Sequence, residues 1–113
     1  MHRKVELEAP ERCLAEPLLK FFAQEWMSHV VLVLAQHEAL RFSEIRRQLQ
    51  DRVSARVLSA RLKALEAAGY VARRDLSERV LHVEYSLTRM GREADAALRR
   101  YEMLLPGGDA GPL

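Results

Sequence analysis

Apolar residues recur along this chain with two periods, one helical and one of alternate residues, and the change between them divides it into elements. Leu14, Leu18, Phe21 and Phe22 follow helical spacing, and Pro17 sits early enough to occupy a first helical turn or to break the segment in two. From Trp26 the positions Trp26, Val30, Val33 and Leu34 predict a second helix ending near His37. Its other face, with Met27, Val31 and Leu32, is apolar as well. A helix apolar on most sides is a central, buried one.

Leu40-Arg41-Phe42 is too short for a helix and leads into Ser43, a good N-cap for a helix over Glu44 to Gln50, with Glu44 placed favourably against the helix dipole. Asp51-Arg52-Val53 breaks that helix, and Ser54 offers a second N-cap. Leu58, Leu62 and Leu65 then form one stripe, and Gly69 supplies a stop. Two short helices, each opened by a serine and three or four residues apart, read as a helix-turn-helix.

After Gly69 the period changes. Tyr70 to Arg74 and Val80 to Leu87 are β-prone runs, the second placing Leu81, Val83, Tyr85 and Leu87 on one face, and the polar stretch Asp75 to Arg79 suits a hairpin tip. Thr88 caps a last helix with Ala94, Ala97, Leu98, Tyr101, Leu104 and Leu105 as its apolar stripe. The fold class expected is mainly α with a small β-hairpin, a winged helix-turn-helix.

Composition narrows this. At 113 residues, 49% hydrophobic and 30% charged, the chain suits one globular domain. We expect a loose N-terminal arm over residues 1–10, a domain over 11–105 and a frayed tail over 106–113, which holds three of the five glycines and two of the four prolines. One cysteine cannot form an intrachain disulfide, which suggests a reducing interior. The charged N-terminus has no signal-peptide core, and the longest apolar run, Val30 to Ala35, is far short of a membrane span. A cytoplasmic protein with no membrane partner is the expectation.

The net charge of +2 looks uninformative until it is divided. Residues 1–40 carry four basic and six acidic side chains, residues 41–79 ten and five, and residues 80–113 four and five. The basic excess therefore falls on the helix-turn-helix and the first half of the hairpin, where a polyanion would bind.

On the helix from Ser54, turning Leu58, Leu62 and Leu65 inward leaves Arg56, Ala60 and Lys63 nearly opposite, with Ser59 on the flank. Arginine bonds guanine in a bidentate way, serine donates or accepts, and an alanine methyl touches thymine. Ser54 and Arg56 lie near the helix N-terminus, the end that enters the major groove. Lys63 and Arg46 are candidates for phosphates and Arg79 for the minor groove beside the hairpin tip, with Arg73 and Arg74 near it and Asp75 and Glu78 opposing. Arg61 falls between the buried and exposed faces, suited to supporting the fold or to reaching a phosphate. The rival reading makes these ordinary solvated charges, on a winged helix that docks proteins without binding DNA.

Cys13 is a candidate thiol sensor, since a thiol near a helix start can have a lowered pKa; the bland reading is a small buried hydrophobe. His2, His29, His37 and His82 show no metal-ligand spacing. No cofactor-binding or catalytic motif occurs, so neither a cofactor nor an enzyme is expected.

From Cys13 to about Leu105 the chain resembles the HxlR-type winged-helix transcription regulators, relatives of the MarR group. The likeness rests on Cys13, on Trp26, on Arg41-Phe42-Ser43-Glu44-Ile45-Arg46-Arg47, on the run from Leu58 to Val71 and on Val83 to Gly91. It implies a homodimeric regulator of double-stranded DNA whose first and last helices build the dimer interface. Leu14, Leu18, Phe21, Leu98, Tyr101, Leu104 and Leu105 match that role, and Cys13 stands where several members sense oxidants or electrophiles. Where the family often has Gly-Gly-Lys-Trp this chain has Ala23-Gln24-Glu25-Trp26, which predicts that a helix runs on through this point. The wing also lacks the family's usual prolines.

Overall fold

A computed structural model of the chain describes residues 16–102. The expected arm and tail, together with Cys13, Leu14, Leu104 and Leu105, lie outside the described residues.

The order is α1 (Glu16–Ala23), α2 (Met27–Ala35), β1 (Leu40–Arg41), α3 (Phe42–Gln48), α4 (Ala55–Ala67), β2 (Val71–Asp75), β3 (Val83–Leu87) and α5 (Arg89–Glu102). As its apolar faces require, α2 is central: Met27, Val30, Val31 and Leu34 are fully buried, packed with Ile45, Val53, Leu58, Leu62 and Leu65. No single helix among the described residues is long and apolar enough to cross a membrane.

The helix expected to run on through residues 23–26 breaks there. Trp26 takes a left-handed backbone, φ 72°, and α2 leaves α1 at 84°. That conformation costs an L-residue roughly 1–2 kcal/mol. One tertiary and one local contact offset it: Arg61 Nε donates to the Glu25 carbonyl at 2.7 Å, and the Trp26 ring lies 5.1 Å from His29 in the next helical turn. A glycine pair is not required when a side chain from another helix holds the turn.

Two further expectations are corrected. Ser43 does not cap α3; it lies in the first turn, and the cap is Arg41, whose N–H donates to Glu44 Oε1 at 2.8 Å. Leu40 and Arg41 are also a third strand, so the hairpin becomes a three-stranded antiparallel sheet of order β1-β3-β2. Leu40 pairs with Tyr85 and Arg41 with Glu84, while β2 pairs with β3 from Val71↔Leu87 to Asp75↔Val83. The strand expected from Val80 begins only at Val83.

One junction joins the helix-turn-helix to the rest. Gly69, at φ 91°, turns the chain out of α4, with Tyr70 N–H donating to Leu65 O at 2.9 Å. Thr88 Oγ1 donates to Gly69 O at 2.6 Å and accepts from Gly91 N–H at 3.1 Å, the expected cap of α5. A Cβ at Gly91 would collide with the Tyr70 carbonyl oxygen. The ends of α4, β2 and α5 are thus fixed together.

Candidate nucleic-acid interface

Ser54 opens α4 as its sequence position predicts: its side-chain oxygen accepts from Val57 N–H at 3.1 Å. The hydroxyl hydrogen is left for another acceptor. Leu58, Leu62 and Leu65 are buried at 0%, 1% and 0% exposure. At roughly 100° per residue the opposite side is then presented outward. Arg56, Ala60 and Lys63 are exposed and Ser59 is half-buried on the flank. Neither the Arg56 nor the Lys63 side chain makes a hydrogen bond or ion pair with another described residue.

The turn into α4 is longer than expected, with residues 49–54 separating the helices. Gln50 and Asp51 both have left-handed backbone, φ 60° and 56°. Asp51 N–H donates to Arg46 O at 2.9 Å, and Arg46 Nε reaches across the turn to Val53 O at 2.8 Å. Arg46 therefore spends one donor on the turn, and the rest of its guanidinium remains for a ligand. Arg61 resolves its two readings toward the fold, through Glu25. Both cations bind backbone carbonyls outside their own helices, seven residues away for Arg46 and thirty-six for Arg61, which helical spacing does not signal.

The wing is the loop from Leu76 to His82 with its flanking strands. Arg73, Arg74 and Arg79 are exposed, as are Asp75 and Glu78. Two hydrogen bonds from Ser77 hold the Asp75 carboxyl below its ordinary range, its N–H donating to Asp75 Oδ1 at 2.9 Å. That acidic group is satisfied within the loop. Across the sheet Arg41 Nη2 donates to Leu81 O at 3.0 Å, and His82 Nε2 lies 2.9 Å from Glu84 Oε2. Arg41 is a functional-site neighbour that sequence reasoning missed, because its role follows from pairing with a strand more than forty residues away.

Among the described residues a second open surface lies elsewhere. Between α1 and α5 runs a groove of about 430 Å³, lined by Leu18, Leu19, Phe22, Tyr70, Met90, Leu98 and Tyr101, with Glu93 the one charged residue in its wall among the described residues. Leu18 and Tyr101 are each 48% exposed. Phe21, half-buried, instead stacks on Phe22 and Tyr70 at 5.0 and 5.7 Å between ring centroids. No group of three or more His, Cys, Asp or Glu placed to hold a metal ion occurs among the described residues.

A family described as HxlR-like helix-turn-helix matches residues 21–104. The HTH-type transcriptional regulator BH0655 of Halalkalibacterium halodurans is 36% identical over 62% of this chain, and the match spans 61% of that relative's length. YvaP of Bacillus subtilis, another HTH-type transcriptional regulator, is 39% identical over 68% of this chain and 69% of its own. Among solved structures, the reduced form of the B. subtilis transcriptional regulator YodB superposes with a TM-score of 0.73 at 27% identity, covering 80% of this chain and 87% of that one. The redox regulator HypR in its reduced form gives 0.73 at 26%, covering 87% and 92%. These relatives are named as regulators of transcription. The winged-helix architecture and the matched residues agree: this chain is a transcriptional regulator of the HxlR family.

Proposed function

We propose that the chain acts as a homodimer that binds a near-palindromic operator on double-stranded DNA. The observation that carries this reading is the outward face of α4, where Arg56, Ala60 and Lys63 stand exposed on a serine-capped helix whose other side is fully buried. Two such helices enter successive major grooves with half-site centres about 34 Å apart. Arg56, Ser59 and Ala60 read base edges, Ser54, Lys63 and Arg46 meet the backbone, and Arg79 lies in or beside the minor groove. Arg46 reaches phosphate with the donors that Val53 leaves unused.

The dimer forms through α1 and α5. Their groove is apolar, and its half-exposed Leu18, Leu19 and Tyr101 favour burial against a second copy. Phe21 and Leu98 back this surface from the core side, and Leu14, Leu104 and Leu105, outside the described residues, are assigned to it from the sequence alone. Cys13 is the proposed thiol switch; YodB has been seen in quinone-bound and diamide-treated forms, and HypR is named a redox regulator. The protein works in the cytoplasm, without a cofactor.

Selection of bound fragments from the source genome tests the reading. Recovery of a shared, symmetric site supports it, and recovery of no fragment at low salt favours a protein-docking winged helix. For Cys13, mild oxidant must change operator affinity in the wild type and leave Cys13→Ser unaffected; equal responses refute the switch.

A further inference from the structure

The wing loop carries large apolar side chains that the fold leaves uncovered. Val80 and Leu81 are 73% and 75% exposed, and Leu76 is 37% exposed. Single exposed apolar residues are ordinary on a protein surface. An adjacent pair on a loop is different when the loop has been built to hold it. Leu76 N–H donates to His82 O at 2.7 Å, His82 N–H to Ser77 Oγ at 2.8 Å and Arg41 Nη2 to Leu81 O at 3.0 Å. These bonds tie the loop across its base and to the entry of α3. The backbone groups at the base of the loop are used internally, and the side chains of Val80 and Leu81 remain exposed.

Size and charge decide what the tip fits. A stable protein interface buries on the order of 1,000 Å² or more, which two or three side chains on one loop do not supply. The loop itself carries the exposed Arg79 and Glu78, and the exposed Arg73 and Arg74 lie on the strand that leads into it, so cations outnumber carboxylates here once Asp75 is engaged by Ser77. A small apolar wedge framed by arginines suits the minor groove of a duplex, where such side chains enter between base pairs and unstack a step. We infer that Val80 and Leu81 form this wedge: Leu81 enters a base step, Val80 packs beside it, and Arg79 follows the groove. The inference rests on the DNA-binding reading above and adds a site to it. It also gives the wing a source of selectivity, because pyrimidine–purine steps open most easily.

The test uses the full chain and duplexes selected by it from a random pool, with 2-aminopurine placed successively through the segment beside each half-site. Wild type is expected to raise 2-aminopurine fluorescence at one step and to bend the duplex by roughly 20° or more in a permutation assay. A Val80→Ser/Leu81→Ser variant should lose both signals and bind about tenfold more weakly, with the salt dependence unchanged, because no charge is removed. Leu81→Met keeps an apolar wedge and should retain the signals, which separates wedge chemistry from a general disturbance of the loop. Wild-type binding without fluorescence change or bend overturns the wedge alone, as does equal affinity of the double-serine variant. Failure of wild type to bind any selected duplex overturns the DNA-binding reading itself.

Discussion

The molecule exposes two surfaces, and they differ in kind. The outer face of α4 is polar and basic, with Arg56 and Lys63 on a helix whose buried side is a strict leucine stripe. The groove between α1 and α5 is apolar, and among the described residues Glu93 is its only charged lining residue. A surface rich in unpaired cations gains little from meeting a copy of itself, whereas an apolar groove gains little from phosphate. On the proposed reading, one surface selects a polyanion and the other a second subunit. The junction of Gly69, Tyr70, Thr88 and Gly91 holds them in fixed relation.

The sharpest way to break this contrast is to charge the apolar surface. A Leu18→Lys/Tyr101→Lys variant should sediment as a monomer and lose operator affinity by roughly 10²–10⁴-fold, the advantage of linking two half-site contacts. A variant that remains dimeric would assign the groove another role. Arg56→Ala makes the opposite cut: it should stay dimeric and lose about 1–3 kcal/mol of operator binding, with specificity relaxed at one position. Gly91→Ala strikes the junction, and the clash with the Tyr70 carbonyl should cost about 1–3 kcal/mol of unfolding free energy in a denaturant titration. Ser54→Ala removes one N-cap bond and should cost about 1 kcal/mol in the same titration.

The smallest effect is a pH dependence of the wing. Because Asp75 is held below its ordinary value of 3.8, its contribution is fully present above that value and is lost as pH falls through the lower, folded-state value. The Ser77 amide resonance should therefore titrate with a midpoint below 3.8, and a midpoint above that value would contradict the Ser77–Asp75 bond.

Much of the fold was legible because its signals are local. Ser54, the Leu58/Leu62/Leu65 stripe, Gly69 and Thr88 each announce their role within one or two turns of helix. What stayed hidden depends on partners far along the chain. Leu40 and Arg41 become a strand only because Tyr85 and Glu84 are there to pair with them. Trp26 turns left-handed with Arg61 holding the preceding carbonyl. The same limit applies to the interface. Spacing shows which basic residues face outward, as with Arg56 and Lys63, and it does not show that Arg46 and Arg61 have given donors to Val53 and Glu25. At the wing, β propensity carried Val80 and Leu81 into a strand, whereas the Leu76–His82 closure keeps them in the loop.

Salt dependence tests the central claim most directly. If Lys63 and Arg46 of both protomers neutralise phosphates, log affinity for a selected duplex should fall against log salt with a slope of roughly −4 or steeper. Lys63→Ala, which removes one contact from each protomer, should flatten that slope by about 2 without changing the dimer. A flat wild-type slope, or one that Lys63→Ala leaves unchanged, would contradict the assignment of the α4 face to DNA.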